Sequence, residues 1–200
     1  MIADSGGTVS VASEVEMHMG HGHPPTSQLL AVGIRPSLSI DVCTGIGGDM
    51  FTQMRTTLAM ARALSNHRQL EAGITPDHLD VTSADVLEFA TIEGARAAGV
   101  EHKVGSLTVG KDADIVLLRC DRLNLFPVNH PKAAVSLAAN TSNVDTVLVR
   151  GRVVKRDGEL VGVDLDRVRD LATESRDFLL SQCQGAHTGG SWKPAAYAPA

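Results

Sequence analysis

Residues 36–40 form an apolar stretch of extended-chain character that ends on a carboxylate, Asp41, and passes through a glycine-rich loop, residues 42–48, into a long helical pattern. A strand that stops on an acid and is followed by glycine and helix presents a polar group at the C-terminal edge of a parallel α/β sheet, where such proteins place their chemistry. Asp41 is therefore the first candidate functional residue.

Upstream, residues 8–12 are another β-type run, reached through Gly6 and Gly7. Residues 14–25 carry His18, His21 and His23 and are interrupted by Gly20, Gly22, Pro24 and Pro25, which describes an ordered loop. Residues 28–32 make one or two helical turns. Strand, loop, short helix, strand is a parallel βαβ unit, and such units bury both faces of their strands. After the loop, Gly48 or Asp49 caps a helix over residues 50–66, with Met50, Phe51, Met54, Leu58, Ala61 and Leu64 at intervals of three or four on one stripe. Thr82 and Ser83 open a second helix over residues 84–98, which Gly99 stops. From Gly105 the pattern changes to short strands and hairpin turns as far as residue 163, a small β module. Asp164 caps a last amphipathic helix over residues 165–182, and the Gly-, Pro- and Ala-rich residues 185–200 read as a flexible tail.

Composition narrows the function classes. A net charge of -5 with Lys and Arg scattered among acids leaves no basic stripe for nucleic acid. Hydrophobic residues make up 43% of the 200, enough for a core without disulfides or a structural metal. Cys43, Cys120 and Cys183 are far apart and odd in number, so neither a disulfide framework nor a zinc knuckle is expected, and a reducing cytoplasm fits. No apolar run approaches the roughly 18 residues that span a bilayer. No partner in nucleic acid or membrane is expected.

The stretch 90–118 carries a resemblance. Ala90-Thr91, Gly94-Ala95 and Gly99 match "AT..GA..LG", and Gly105, Leu107, Gly110-Lys111 and Ala113-Asp114-Ile115-Val116 match "G.L..GK.ADLV". Val144, Val147, Val149, Gly151 and Val154 fit "V..V.V.G..V", and Leu38-Ser39-Ile40-Asp41 looks like "LG.D" with Ser39 in place of the glycine. In combination these resemble the closing segment of metal-dependent amidohydrolases, the cytosine-deaminase-like and triazine-hydrolase-like branch of that superfamily, over about residues 7–165.

The resemblance implies an α/β fold: the C-terminal portion of a (β/α)8 barrel, its seventh and eighth strands with their helices, plus part of a composite β-sandwich. On that basis residues 1–100 are the partial barrel, 101–165 the β-rich domain, 166–184 the last helix and 185–200 the tail. It implies a divalent metal, zinc or iron, and hydrolysis of a carbon–nitrogen bond in a small amidine, cyclic amide or aminated heterocycle by metal-activated water. Asp41 is then both metal ligand and proton carrier, while Glu16 and His21, in the loop after the seventh strand, face substrate. Most metal ligands belong to segments with no counterpart here, so the chain alone is expected to be inactive. His21-Gly22-His23 copies the family's His-x-His, but between Gly20 and Pro24 it describes a loop and not the end of a first barrel strand. Asp49 reads as a helix cap, Cys43 as a small loop residue and the methionines as packing. Two other readings stand beside the enzyme: an interaction module that completes a barrel with a separate N-terminal chain or self-associates, and a metal-carrying loop at His18, His21 and His23.

Overall fold

A computed structural model describes residues 2–182. They fall into two compact units that divide between Val161 and Gly162. The expected tail and Cys183 lie outside the described residues.

The first unit begins with β1 (Ser10–Val11), α1 (Ser13–His18), α2 (Thr26–Ala31) and β2 (Ser37–Leu38). The two strands run parallel, Ser10 opposite Ser37 and Val11 opposite Leu38. The ladder extends past the strands proper: Ser37 N–H donates to Val9 O and Ser39 N–H to Val11 O, each at 2.9 Å. The expected βαβ unit is present, with one correction. Part of the expected loop is helical, because Val15 buries its side chain while the Glu16 carboxylate accepts the Ala12 N–H at 2.9 Å and closes the helix start.

Asp49 caps α3 (Met50–Glu71) as expected, its carboxylate accepting from Thr52 N–H at 2.9 Å and from the Thr52 hydroxyl at 2.7 Å. The helix runs five residues beyond the predicted end at residue 66 and is buried on two faces. Met54, Leu58 and Ala61 pack with Leu38, Val81, Val86 and Phe89 into the core. On the other face Gln53 and Thr57 are fully buried against α1, where the Thr57 and Ser13 hydroxyls share a 2.7 Å hydrogen bond. The second predicted helix is two: α4 (Ser83–Phe89), opened by a capping box between Thr82 and Asp85, and α5 (Ile92–Ala97). The break falls at Thr91, whose φ of -129° and ψ of -90° are not helical and whose hydroxyl donates to Leu87 O at 2.7 Å.

Four strands make the β module: β3 (Ile115–Leu118), β4 (Val144–Val149), β5 (Arg152–Arg156) and β6 (Glu159–Leu160). They form an antiparallel meander in chain order. Residues 105–107, expected as a strand, are irregular, because Gly105 (φ +87°) turns the chain tightly against α5. Between β3 and β4, α6 (Pro131–Ala133) runs into a π-helical turn, Ala134–Ala138, that docks on α3 through Arg55 Nη1 to Ala139 O, 2.6 Å. The second unit contains α7 (Leu165–Gln182), matching its predicted span.

Candidate active site

Because β1 and β2 are parallel, the segments leaving their C-terminal ends emerge at the same edge. From β1 the chain enters α1, which carries Glu14 and Glu16; from β2 it reaches Asp41 and the glycine-rich loop. The two exits are tied together by Glu14. Its Oε2 accepts from Gln53 Nε2 at 3.0 Å, its Oε1 from Gly47 N–H at 3.4 Å, and its own N–H donates to Gln53 Oε1 at 3.4 Å. Glu14 thus fixes the loop after β2 to the helix after β1. Gln53 and Thr57, four residues apart on α3, supply the polar face of this contact, and among the other polar residues of that helix nothing in the sequence singles them out.

Asp41 sits on this edge in a conformation few residues adopt, with φ of +60°. Aspartate tolerates the left-handed region better than branched or bulky residues, and such outliers concentrate where geometry serves a function. The backbone N–H of Asp41 donates to Ser39 Oγ at 3.1 Å, which holds the turn. Its carboxylate makes no hydrogen bond or ion pair among the described residues, and the residue is exposed.

The other expected site residues are placed as follows. Glu16 is half-buried with one carboxylate oxygen committed to Ala12 N–H. His21 is exposed on the loop after α1, where its N–H donates to Glu16 O at 3.0 Å. His18 and His23 are also exposed. Among the described residues no three His, Cys, Asp or Glu side chains converge as a metal-binding group, so the three histidines do not form one and Asp41 belongs to none. Cys43 is free and exposed in the glycine-rich loop.

The opposite edge is the more strongly charged. Arg35, just before β2, reaches Asp85 at 3.0 Å, Glu88 at 2.8 Å and Glu93 at 3.1 Å, and lies 5.0 Å from the Phe89 ring centroid. Arg96 adds a 2.6 Å contact to the buried Glu93. Partial burial pulls the Asp85 carboxyl upward, but hydrogen bonds from Thr82 and Arg35 outweigh it and hold the group below the ordinary aspartate range. This network clamps β2 to α4 and α5 from the side away from Asp41, and sequence reading missed it because its four partners lie fifty or more residues from Arg35.

Comparison with known proteins follows the same geometry. The amidohydrolase family pattern matches residues 8–154. The 5-methylthioadenosine/S-adenosylhomocysteine deaminase of Moorella thermoacetica is 30% identical over 167 residues, 83% of this chain and 37% of that protein. The 5'-deoxyadenosine deaminase of Methanothermobacter thermautotrophicus is 32% identical over 173 residues, 86% of this chain and 38% of its own length. Among solved structures, an adenosine deaminase from Xanthomonas campestris with bound zinc superposes with a TM-score of 0.77 at 27% identity, covering 87% of this chain and 38% of that one. The atrazine chlorohydrolase of Arthrobacter aurescens complexed with zinc shares the fold, with a TM-score of 0.69 at 23% identity over 86% of this chain and 36% of that one. The chain thus spans 37% to 38% of the length of these curated relatives.

Proposed function

The chain belongs to the amidohydrolase family of hydrolytic, metal-dependent enzymes, and on that premise we propose that it forms the sector of a (β/α)8 barrel containing the seventh and eighth strands. The reaction is hydrolytic deamination of an aminated heterocycle of the adenosine type. The observation that carries this reading is Asp41: an unengaged carboxylate held at φ +60° immediately beyond the C-terminal end of a parallel strand.

Asp41 is the proton carrier. A carboxylate at this position takes a proton from water as oxygen adds to the ring carbon, then delivers it to the departing amino group, which leaves as ammonia. Glu16, on α1, and His21, on the loop after it, face substrate, Glu16 through the oxygen not bonded to Ala12. The family's divalent metal, zinc or iron, would polarise the attacking water, but the described residues do not assemble its donor set. Only Asp41 is offered here as a ligand. The compartment is the cytoplasm, a reading supported by free, exposed Cys43 and Cys120 and by the absence, among the described residues, of a helix long and apolar enough to cross a membrane.

A second reading draws on exposure. Val109, Leu107, Leu123 and Phe126 are 103%, 81%, 98% and 69% exposed, and β1 and β2 each pair on one side only among the described residues. Such surfaces favour association, so the chain also suits the role of a module that completes a barrel with another segment or a second copy.

One experiment tests both. Ammonia release from 5'-methylthioadenosine and adenosine is measured for the chain alone and mixed with the N-terminal remainder of the Moorella deaminase. Turnover is expected only in the mixture, falling about 10²–10⁴-fold when Asp41 becomes Asn. Turnover unaffected by Asp41→Asn ends the catalytic assignment; a tight mixture without turnover in either form leaves the module reading.

A further inference from the structure

Away from the strand edge, α3, α4 and α6 border an open surface cavity of about 440 Å³ lined by Arg62, Thr82, Ser83, His130 and Lys132, with His130 and Lys132 exposed to solvent. In a chain of net charge -5, a cavity lined by two permanent cations runs against the overall balance, and the Asp85 carboxylate, 2.6 Å from the lining Thr82 hydroxyl, is already engaged by Thr82 and Arg35. Arg62 is half-buried and uses only Nε, which donates to Val81 O at 2.8 Å. Its two Nη groups and the Lys132 ammonium have no hydrogen-bond or ion-pair partner among the described residues. Elsewhere in the same unit the partly buried Arg35 guanidinium is engaged by three carboxylates.

His130 adds a directional donor. Its Nδ1 accepts from Ala133 N–H at 3.1 Å, so the neutral ring carries its proton on Nε2. Ser83 contributes a hydroxyl with no partner among the described residues. Guanidinium, ammonium, imidazole N–H and hydroxyl are all donors. A group that satisfies four donors at once and cancels two positive charges is a tetrahedral oxyanion of charge near two.

We propose that this cavity binds a phosphate group, through Arg62, Lys132, His130 and Ser83. The volume exceeds that of the bare anion, so a small phosphate ester fits as well as free phosphate. The site is independent of Asp41, which does not line it.

Calorimetric titration of the full chain at fixed ionic strength, with chloride as the balancing ion, tests this using inorganic phosphate and glycerol 1-phosphate as probes. Saturable binding is expected, weakened about tenfold by Lys132→Gln and unchanged by Lys155→Gln, which removes the same charge from β5. Tighter binding of the ester assigns the site to a phosphorylated metabolite, and equal binding to free phosphate. Phosphorus NMR of the same variants gives a second readout: line broadening of phosphate that persists in Lys155→Gln and disappears in Lys132→Gln. Absence of saturable binding in the parent chain, or equal loss in both variants, overturns the proposal.

Discussion

The strands of the layer of residues 8–99 have two residues each and those of the meander of residues 115–160 up to six, and different forces hold them. In the first, two-residue strands are anchored because everything around them is buried: Phe89 is 0% and Leu58 1% exposed, and Leu38 packs with both. In the second, no residue of β3, β4, β5 or β6 is fully buried, and Val116 is 56% exposed. There the ladder itself, with its continuous antiparallel pairing, carries the structure. Stability in this unit follows buried apolar surface and not strand length.

The sharpest break of that contrast is a pair of truncations. Phe89→Ala removes a fully buried ring and is expected to cost about 3–5 kcal/mol, whereas Leu148→Ala, half-buried in β4, costs under about 1.5 kcal/mol. Urea unfolding followed by far-ultraviolet circular dichroism compares them; equal losses would mean the meander has a core of its own.

Next in size is Gly105→Ala, at the junction of the two regions. A β-carbon there would lie 2.7 Å from Ala95 Cβ and 3.1 Å from Ile92 Cα, and the backbone has φ +87°. Left-handed strain and overpacking together predict a loss of about 2–4 kcal/mol. A midpoint of thermal unfolding unchanged from the parent would show that α5 can retreat from the chain.

Acid should separate the regions in turn. Asp85 is held below its ordinary value in the folded chain, so its contribution is complete above about pH 4, the unfolded value, and is lost as pH falls through the lower folded value. The helical layer is therefore expected to lose stability below that point, and Asp85→Asn to flatten this dependence. A pH profile identical in parent and variant would remove the Arg35 clamp from the account.

What was legible in the sequence divides along the same line. The parallel strand pair, the Asp49 cap, the α3 stripe and the meander all follow from local patterns: an apolar run ending on an acid, a capping residue, a period of three or four, closely spaced turn signals. The break at Thr91 was not legible, because Ala90, Gly94, Ala95 and Ala97 suit a continuous helix and only the Thr91 side chain diverts it. Nor was the polar seam of Ser13, Glu14, Gln53 and Thr57, since Glu14 reads as a solvated acid until α1 is laid on α3. Asp41 was found from its position after a strand; its positive φ was not, as nothing in residues 38–42 demands a left-handed turn.

That backbone conformation sets up the smallest stability change and the most informative one. If Asp41 served only to make the turn, glycine would serve better, because it enters the left-handed region without the steric cost of a β-carbon. Asp41→Gly is accordingly expected to leave stability unchanged or raise it by up to about 1 kcal/mol, and Asp41→Asn to stay within about 0.5 kcal/mol. Both variants keep the fold and lose the carboxylate. A residue retained in a strained geometry that a neutral replacement relieves is held there for its chemistry, so both variants should lose turnover in the complemented enzyme while their urea midpoints match or exceed the parent. A fall in stability for Asp41→Gly would make the carboxylate a structural group and reverse the reading of the whole strand edge.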